Sequence, residues 1–202
     1  MLVSRRTVLG GAFAATIAAP AHGGARLSSV RVTRTATLPL MRPDWPVPDE
    51  PHQLFFIQRS TNPNTVVYTG RFDENGNLNP RKPARVYWRR YNTTGERMAL
   101  RPFERRFAFG MRVRPQAVPG EWLVNAVVAP MFPMRLRQVG PFRAEVTTSI
   151  GGHSARPTYA FITVDETGFL PRVTEVSLHG NDPITGGAVS EYFRVTGGTF
   201  KG

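Results

Sequence analysis

From position 52 onward the apolar positions come in short runs, alternating or continuous, divided by turn residues. This is the pattern of extended strands rather than helices. The runs cover residues 54–59, 65–71, 85–91, 121–128, 142–150, 158–164, 172–179 and 189–195. Two of them alternate cleanly. Val86 and Trp88 fall on one face with Tyr87, Arg89 and Tyr91 on the other, and Phe142, Ala144, Val146 and Ile150 oppose Arg143, Glu145, Thr147 and Ser149. So many strands at this spacing predict an all-β domain, an antiparallel sandwich or a closed barrel of about eight or more strands; the pattern does not choose between the two. One short helix is predicted at residues 102–108. Pro102 suits a first helical position, Phe103 and Phe107 share a face, and Gly110 suits a left-handed closing residue. This helix is expected to plug one end or side of the sheet.

The chain before this domain reads differently. In residues 22–51, Pro39, Pro43, Pro46, Pro48 and Pro51 crowd around Asp44 and Trp45. Proline fixes φ and cannot donate to a sheet ladder, so this is an extended arm or linker, with Trp45 as the expected pin to the domain surface. Ahead of it, residues 8–21 are apolar on every face but shorter than the ~20 residues a membrane-crossing helix needs. They end at Ala19-Pro20-Ala21, a small-x-small cleavage pattern. Ser4-Arg5-Arg6-Thr7-Val8-Leu9 resembles the twin-arginine translocation motif, with Val8 where phenylalanine is usual and no lysine after Leu9. The resemblance implies that residues 1–21 are a signal read through Arg5 and Arg6 by the twin-arginine export machinery. It further implies folding before export and a periplasmic destination for residues 22–202. With no second apolar stretch of ~18 residues, no membrane anchor is expected after cleavage.

Composition narrows the chemistry. The chain has no cysteine, which removes disulfides, thiol nucleophiles and cysteine-ligated metals. Its formal charge of +12 is carried almost wholly by arginine, since Lys82 and Lys201 are the only lysines among 26 basic residues. Such a surplus suits either nucleic acid or the anionic polymers of a cell envelope. No basic run reaches the length of a typical nucleic-acid patch and the chain carries an export signal, so the expected partner is anionic but not nucleic acid.

The stretch Phe55-Phe56-Ile57-Gln58-Arg59-Ser60-Thr61-Asn62-Pro63-Asn64-Thr65-Val66-Val67-Tyr68 resembles the opening of a bacterial family known as domain of unknown function 4833. The likeness continues at Lys82-Pro83-Ala84-Arg85-Val86-Tyr87-Trp88 and Phe103-Glu104-Arg105-Arg106-Phe107-Ala108-Phe109-Gly110, and more loosely through residues 173–180. It implies a domain over residues 52–202 and brings no established activity.

The sequence holds no decisive catalytic or metal motif. Asp73-Glu74-Asn75-Gly76-Asn77 alternates oxygen side chains, but Leu78 and Ala84 stand where a calcium loop needs glycine and glutamate. It reads instead as a hairpin turn with positive φ at Asn75 and Gly76. Gly152-His153-Ser154-Ala155-Arg156 falls one residue short of a nucleophile elbow and reads as a loop between strands. His22, His52, His153 and His179 share no helical spacing, and Asp165-Glu166-Thr167-Gly168 reads as a turn. No catalytic residue, metal or cofactor is therefore assigned.

The densest polar and aromatic collection is Arg59, Asn62, Asn64 and Tyr68, then Trp88, Arg89 and Tyr91, then Glu104 and Arg105. Arginine forks and aromatic faces suit an anionic ligand. The same residues also suit architecture, with Arg59 paired to Glu104, or an ion pair through Arg105, fixing the helix to the sheet while Asn62 and Asn64 shape a turn. The leading expectation is a noncatalytic periplasmic module that binds an anionic small molecule or envelope polymer. The alternative is an envelope-acting hydrolase using histidine or carboxylate residues. Export should depend on the arginine pair: a reporter fused after Ala25 should reach the periplasm, and Arg5→Lys with Arg6→Lys should hold it in the cytoplasm. Equal export of the double variant, measured by cell fractionation, would remove the twin-arginine reading.

Overall fold

Turn residues cut the chain into short elements whose alternate side chains face opposite ways. The computed structural model describes residues 27–30, 40–130, 132–168 and 172–195; the signal-like segment with Arg5 and Arg6 lies outside these. The elements are β1 (Leu27–Val30), β2 (Gln53–Arg59), β3 (Asn62–Gly70), β4 (Ala84–Arg90), β5 (Glu96–Ala99), α1 (Pro102–Phe107), β6 (Met111–Pro115), β7 (Glu121–Ala126), β8 (Met134–Gly140), β9 (Arg143–Ile150), β10 (His153–Asp165), β11 (Arg172–Asn181) and β12 (Ala188–Val195). The domain is all-β, as its alternation predicts. All eight predicted runs are strands, and β1, β5, β6 and β8 are additional.

The strands follow one continuous path, β5-β4-β3-β2-β10-β9-β8-β7-β6, with β11, β12 and β1 extending from the side of β10. Strand β10 makes this possible by changing partners along its length. Residues 153–155 pair with β9, from Arg156 onward the strand pairs with β11, and over Tyr159–Ile162 it lies between β11 and β2. The β2–β10 ladder is parallel while every other ladder among the described residues is antiparallel. A parallel pair needs a long crossover, and the chain between β2 and β10 supplies one that is itself a whole meander.

The meander β6–β9 and the larger sheet bury one core together. Phe55, Ile57, Val66, Tyr68, Trp88, Ala160 and Ile162 from the larger sheet meet Trp122, Val124, Met134, Leu136 and Val146 from the meander. This is sandwich packing, with inward residues of both layers sharing a core. The closed-barrel alternative is not realised: β5 pairs with β4 alone and β6 with β7 alone, so the path ends in two free edges. The outer face of the larger sheet carries a small second cluster of Phe56, Val67 and Tyr87, covered by Met41 and Tyr159.

Met41 belongs to the proline-rich arm, which is therefore laid over this outer face. Its polar attachment is Glu50, 7% exposed, which pairs with Arg89 at 3.0 Å and with Arg97. Trp45, the pin expected from sequence, is half-buried and carries the Arg42 guanidinium over its ring at 5.2 Å. A short strand replaces the extended chain at Leu27–Val30, which runs antiparallel to β12.

Helix α1 forms where predicted but does not plug the sheet. It buries none of its residues, and Phe103 is 66% exposed, with its ring against Phe107. What holds it is Glu104, whose carboxylate accepts the Arg101 N–H at the first turn and the indole N–H of buried Trp88. Gly110 closes the turn by size rather than by a left-handed φ, being absent from the positive-φ glycines. A methyl group there would overlap the Arg105 carbonyl oxygen. Gly110→Ala should cost about 1–3 kcal/mol through forced overlap with backbone. In a chain of this size that is roughly 4–8 °C for a mid-range loss of about 2 kcal/mol, read from a thermal melt.

Candidate functional site

Arginines spread along the sequence converge where the sheet fails to close. Strand β4 has seven residues but β5 only four, so β5 pairs with Tyr87–Arg90 and leaves residues 84–86 without a neighbour on that side. The chain then leaves β5 through α1 and returns as β6, on the far side of the gap. Between them lies a cleft of about 630 Å³, a size typical of small-molecule sites.

Six cations line this cleft: Arg71, Arg81, Lys82, Arg85, Arg97 and Arg105. No carboxylate lines it. Among the described residues only Arg97 of the six has an ion-pair partner, the arm's Glu50. Its guanidinium also lies 5.5 Å from the centre of the Tyr87 ring. Burial and the adjacent Glu50 carboxylate push the Tyr87 phenol up to about 12, so it stays protonated at neutral pH. A smaller hollow of about 250 Å³ shares Arg71, Arg85, Tyr87 and Arg97 and continues the basic surface to His52.

The chain fixes these cations locally. Arg71 leaves β3 with its N–H donated to Pro83, and its carbonyl accepts the Asn79 N–H at 2.8 Å. The Asn79 side-chain oxygen then accepts the N–H groups of Arg81 and Lys82. Pro80 accepts the Trp122 indole N–H at 3.3 Å, tying the loop to β7 across the gap. Thus the basic loop is a hydrogen-bonded hairpin end whose backbone is fixed where the exposed Arg81 and Lys82 side chains leave it. At its tip, Asp73 accepts the Asn75 and Asn77 N–H groups, and only Gly76 takes a positive φ; the positive φ expected at Asn75 is absent because the Asp73 side chain closes the turn.

Of the residues singled out from sequence, Arg105 alone lines the cleft. The others divide between core and joints. Tyr68 is fully buried, stacked on Phe55 at 4.3 Å and donating its hydroxyl to the Phe109 carbonyl; burial raises its pKa. Asn62 accepts the Asn64 N–H, and Asn64 in turn accepts the Asn92 N–H, the turn-shaping role expected of them. Arg59 makes no ion pair with Glu104. It donates to Asn62 and lies over the Trp88 ring at 5.1 Å, with Arg90 over the same ring at 5.3 Å. Burial lowers the Arg59 pKa, opposed by the nearby Glu166 and Glu104 carboxylates. Arg89 pairs with Glu50 and lies over Tyr91. Helix and sheet are thus joined by Trp88 and Glu104 rather than by an Arg59–Glu104 bridge.

The motifs weighed for catalysis serve turns and strands. Gly151 and Gly152 make a tight turn with positive φ at both, so His153, Ser154, Ala155 and Arg156 lie within β10 rather than in a loop. His52 donates to the Phe142 carbonyl, and His179 stacks on Tyr159 at 4.3 Å. Asp165 accepts the Thr167 N–H and hydroxyl, closing a turn. No group of three metal-ligating side chains occurs among the described residues. Sequence reasoning passed over Arg71, Arg81, Lys82, Arg85 and Arg97 because they form no run; the one available signal was Lys82 and Arg85 inside a family-like motif.

Trp88→Phe replaces the buried indole with a smaller phenyl ring, removing the donor that Glu104 accepts and leaving a void in the core, which together should cost about 2 kcal/mol, or roughly 4–8 °C in melting temperature. Glu104→Ala in the same background should add less than it does alone, because both remove one joint. Additive losses would show that the indole–carboxylate bond is not what secures α1.

The family model described as domain of unknown function (DUF4833) matches residues 55–192. No curated protein and no solved structure matches the chain.

Proposed function

The chain belongs to the DUF4833 family, and from that premise we propose that it is a noncatalytic binding module for an anionic ligand, exported to the periplasm through the twin-arginine route. The observation that carries the binding reading is the cleft beside β4, with six cations and no carboxylate among its lining residues. Like charges held together repel one another and weaken the fold, so such a collection is best supported by an anion that relieves the repulsion. Arginine suits this task, since its planar fork grips phosphate, sulfate or carboxylate through paired hydrogen bonds. The destination rests on the arginine pair and the short apolar segment at the N-terminus.

Phosphate monoesters are a convenient probe. Methyl phosphate titrated into the purified protein should shift the amide resonances of residues 71, 82, 85 and 105 along one saturable curve. Arg71→Ala and Arg85→Ala should each weaken binding about tenfold, a typical cost for losing one charge-assisted hydrogen-bond donor. Arg137→Ala, exposed on β8 outside the cleft, should leave it unchanged. A response equal in all three variants would reduce the binding to diffuse attraction by net charge.

A further inference from the structure

The cleft is not basic throughout. Its floor is made by Val86 from β4, Met98 from β5, and Met111 and Val113 from β6, all half-buried and packed against the main core. These four are core side chains that the missing closure leaves uncovered. In a closed sheet a neighbouring strand would cover them; here β5 has ended and β6 stands across the gap. The cations border this strip across the open edge: Arg85 alternates with Val86 onto the outer face of β4, where the smaller hollow also has Arg71, while Arg81 and Lys82 stand on the loop before β4 and Arg105 on α1.

An apolar floor with a cationic rim matches a molecule that is apolar along its body and anionic at one end. We propose that the ligand of this cleft is a free single-chain anionic amphiphile, its chain lying over Met98, Met111 and Val113 and its headgroup held by Arg71 and Arg85. The inference rests on the anion-binding reading and specifies its ligand. Two methionines in the floor suit a flexible chain, because the unbranched thioether side chain adapts to irregular apolar surfaces. The cleft is a single gap between two strand ends, within the volume of a small-molecule site, and this favours one free chain over the surface of a bilayer.

The two readings separate in one series of titrations with methyl, butyl, hexyl and octyl phosphate, all kept below their micelle concentrations. Full burial of a methylene is worth about fourfold in affinity, and a half-open floor should give about twofold per methylene. Met98→Gln with Met111→Gln should flatten that dependence, whereas Arg71→Ala should weaken every member by the same factor and leave the slope intact. Affinity independent of chain length, with methyl phosphate still bound, would overturn the amphiphile and leave the anion site standing. No binding of any member would overturn both. Octyl maltoside binding as well as octyl phosphate, unaffected by Arg71→Ala, would make the site merely apolar and also overturn the proposal. Cosedimentation with phosphatidylglycerol vesicles and no response to the monomeric phosphates would assign the charge to a membrane surface instead.

Discussion

The whole architecture depends on one strand exchanging its neighbours. Over its first three residues β10 completes the meander through β9, from Arg156 onward it pairs with β11, and over Tyr159–Ile162 it is the centre of the larger sheet between β2 and β11. The exchange occurs between Ala155 and Arg156; just beyond it Pro157 has no N–H to give to a ladder, and the register with β11 shifts between Pro157 and Tyr159. Gly180 lies opposite, so close to the Arg156 carbonyl that a side chain would not fit. Because one continuous backbone serves both layers, the layers cannot slide apart, and their inward faces share a single core. The parallel β2–β10 ladder follows from this, since β10 reaches β2 only after the chain has built the meander.

A sheet joined at its middle need not be joined at its ends. The path runs out at β5 on one side and at β6 on the other, and α1 bridges the gap without filling it. Short β5 leaves part of β4 unpaired, and the core side chains beneath remain half-exposed. The cleft, its apolar floor and its access to solvent are thus consequences of strand lengths. Charge is then added by the loop between β3 and β4, whose backbone is bonded to the Trp122 indole and to the Asn79 side chain.

Strands were the most legible feature of the sequence, because a half-buried ladder writes its burial as a period of two. Met134-Arg135-Leu136-Arg137 of β8 and Met111-Arg112-Val113-Arg114 of β6 carry the same signature, in structure alternating inward apolar and exposed arginine. They were missed because proline stands at their borders, Pro133 and Pro141 around β8 and Pro115 at the end of β6. The proposed site was not legible, since its residues come from five separate segments and only the fold brings them together. The aromatic cluster that did stand out in sequence is mostly architecture: Tyr68 and Trp88 fill the core with their polar atoms bonded to Phe109 and Glu104. Composition cannot distinguish an arginine lying on an aromatic ring inside a joint from one lying on a ring beside a ligand.

The arginines of an open sheet have a second possible task, which is to keep free edges from pairing with another chain. Arg112 and Arg114 fit it, being exposed on edge strand β6. Arg85 shares it, standing on the stretch of β4 that β5 leaves unpaired. Arg71 follows the end of β3 with its N–H bonded to Pro83, Arg81 and Lys82 lie on a loop that is not a strand at all, and Arg105 is on α1. Edge protection therefore accounts for the charge on β6 and at Arg85 and leaves the other cleft cations without that explanation. Structural pairing accounts for Arg97 alone among the cleft cations, through the Glu50 it shares with Arg89. Cations that neither guard an edge nor pair with a carboxylate, around an uncovered apolar strip, are the part of this molecule that packing alone does not require.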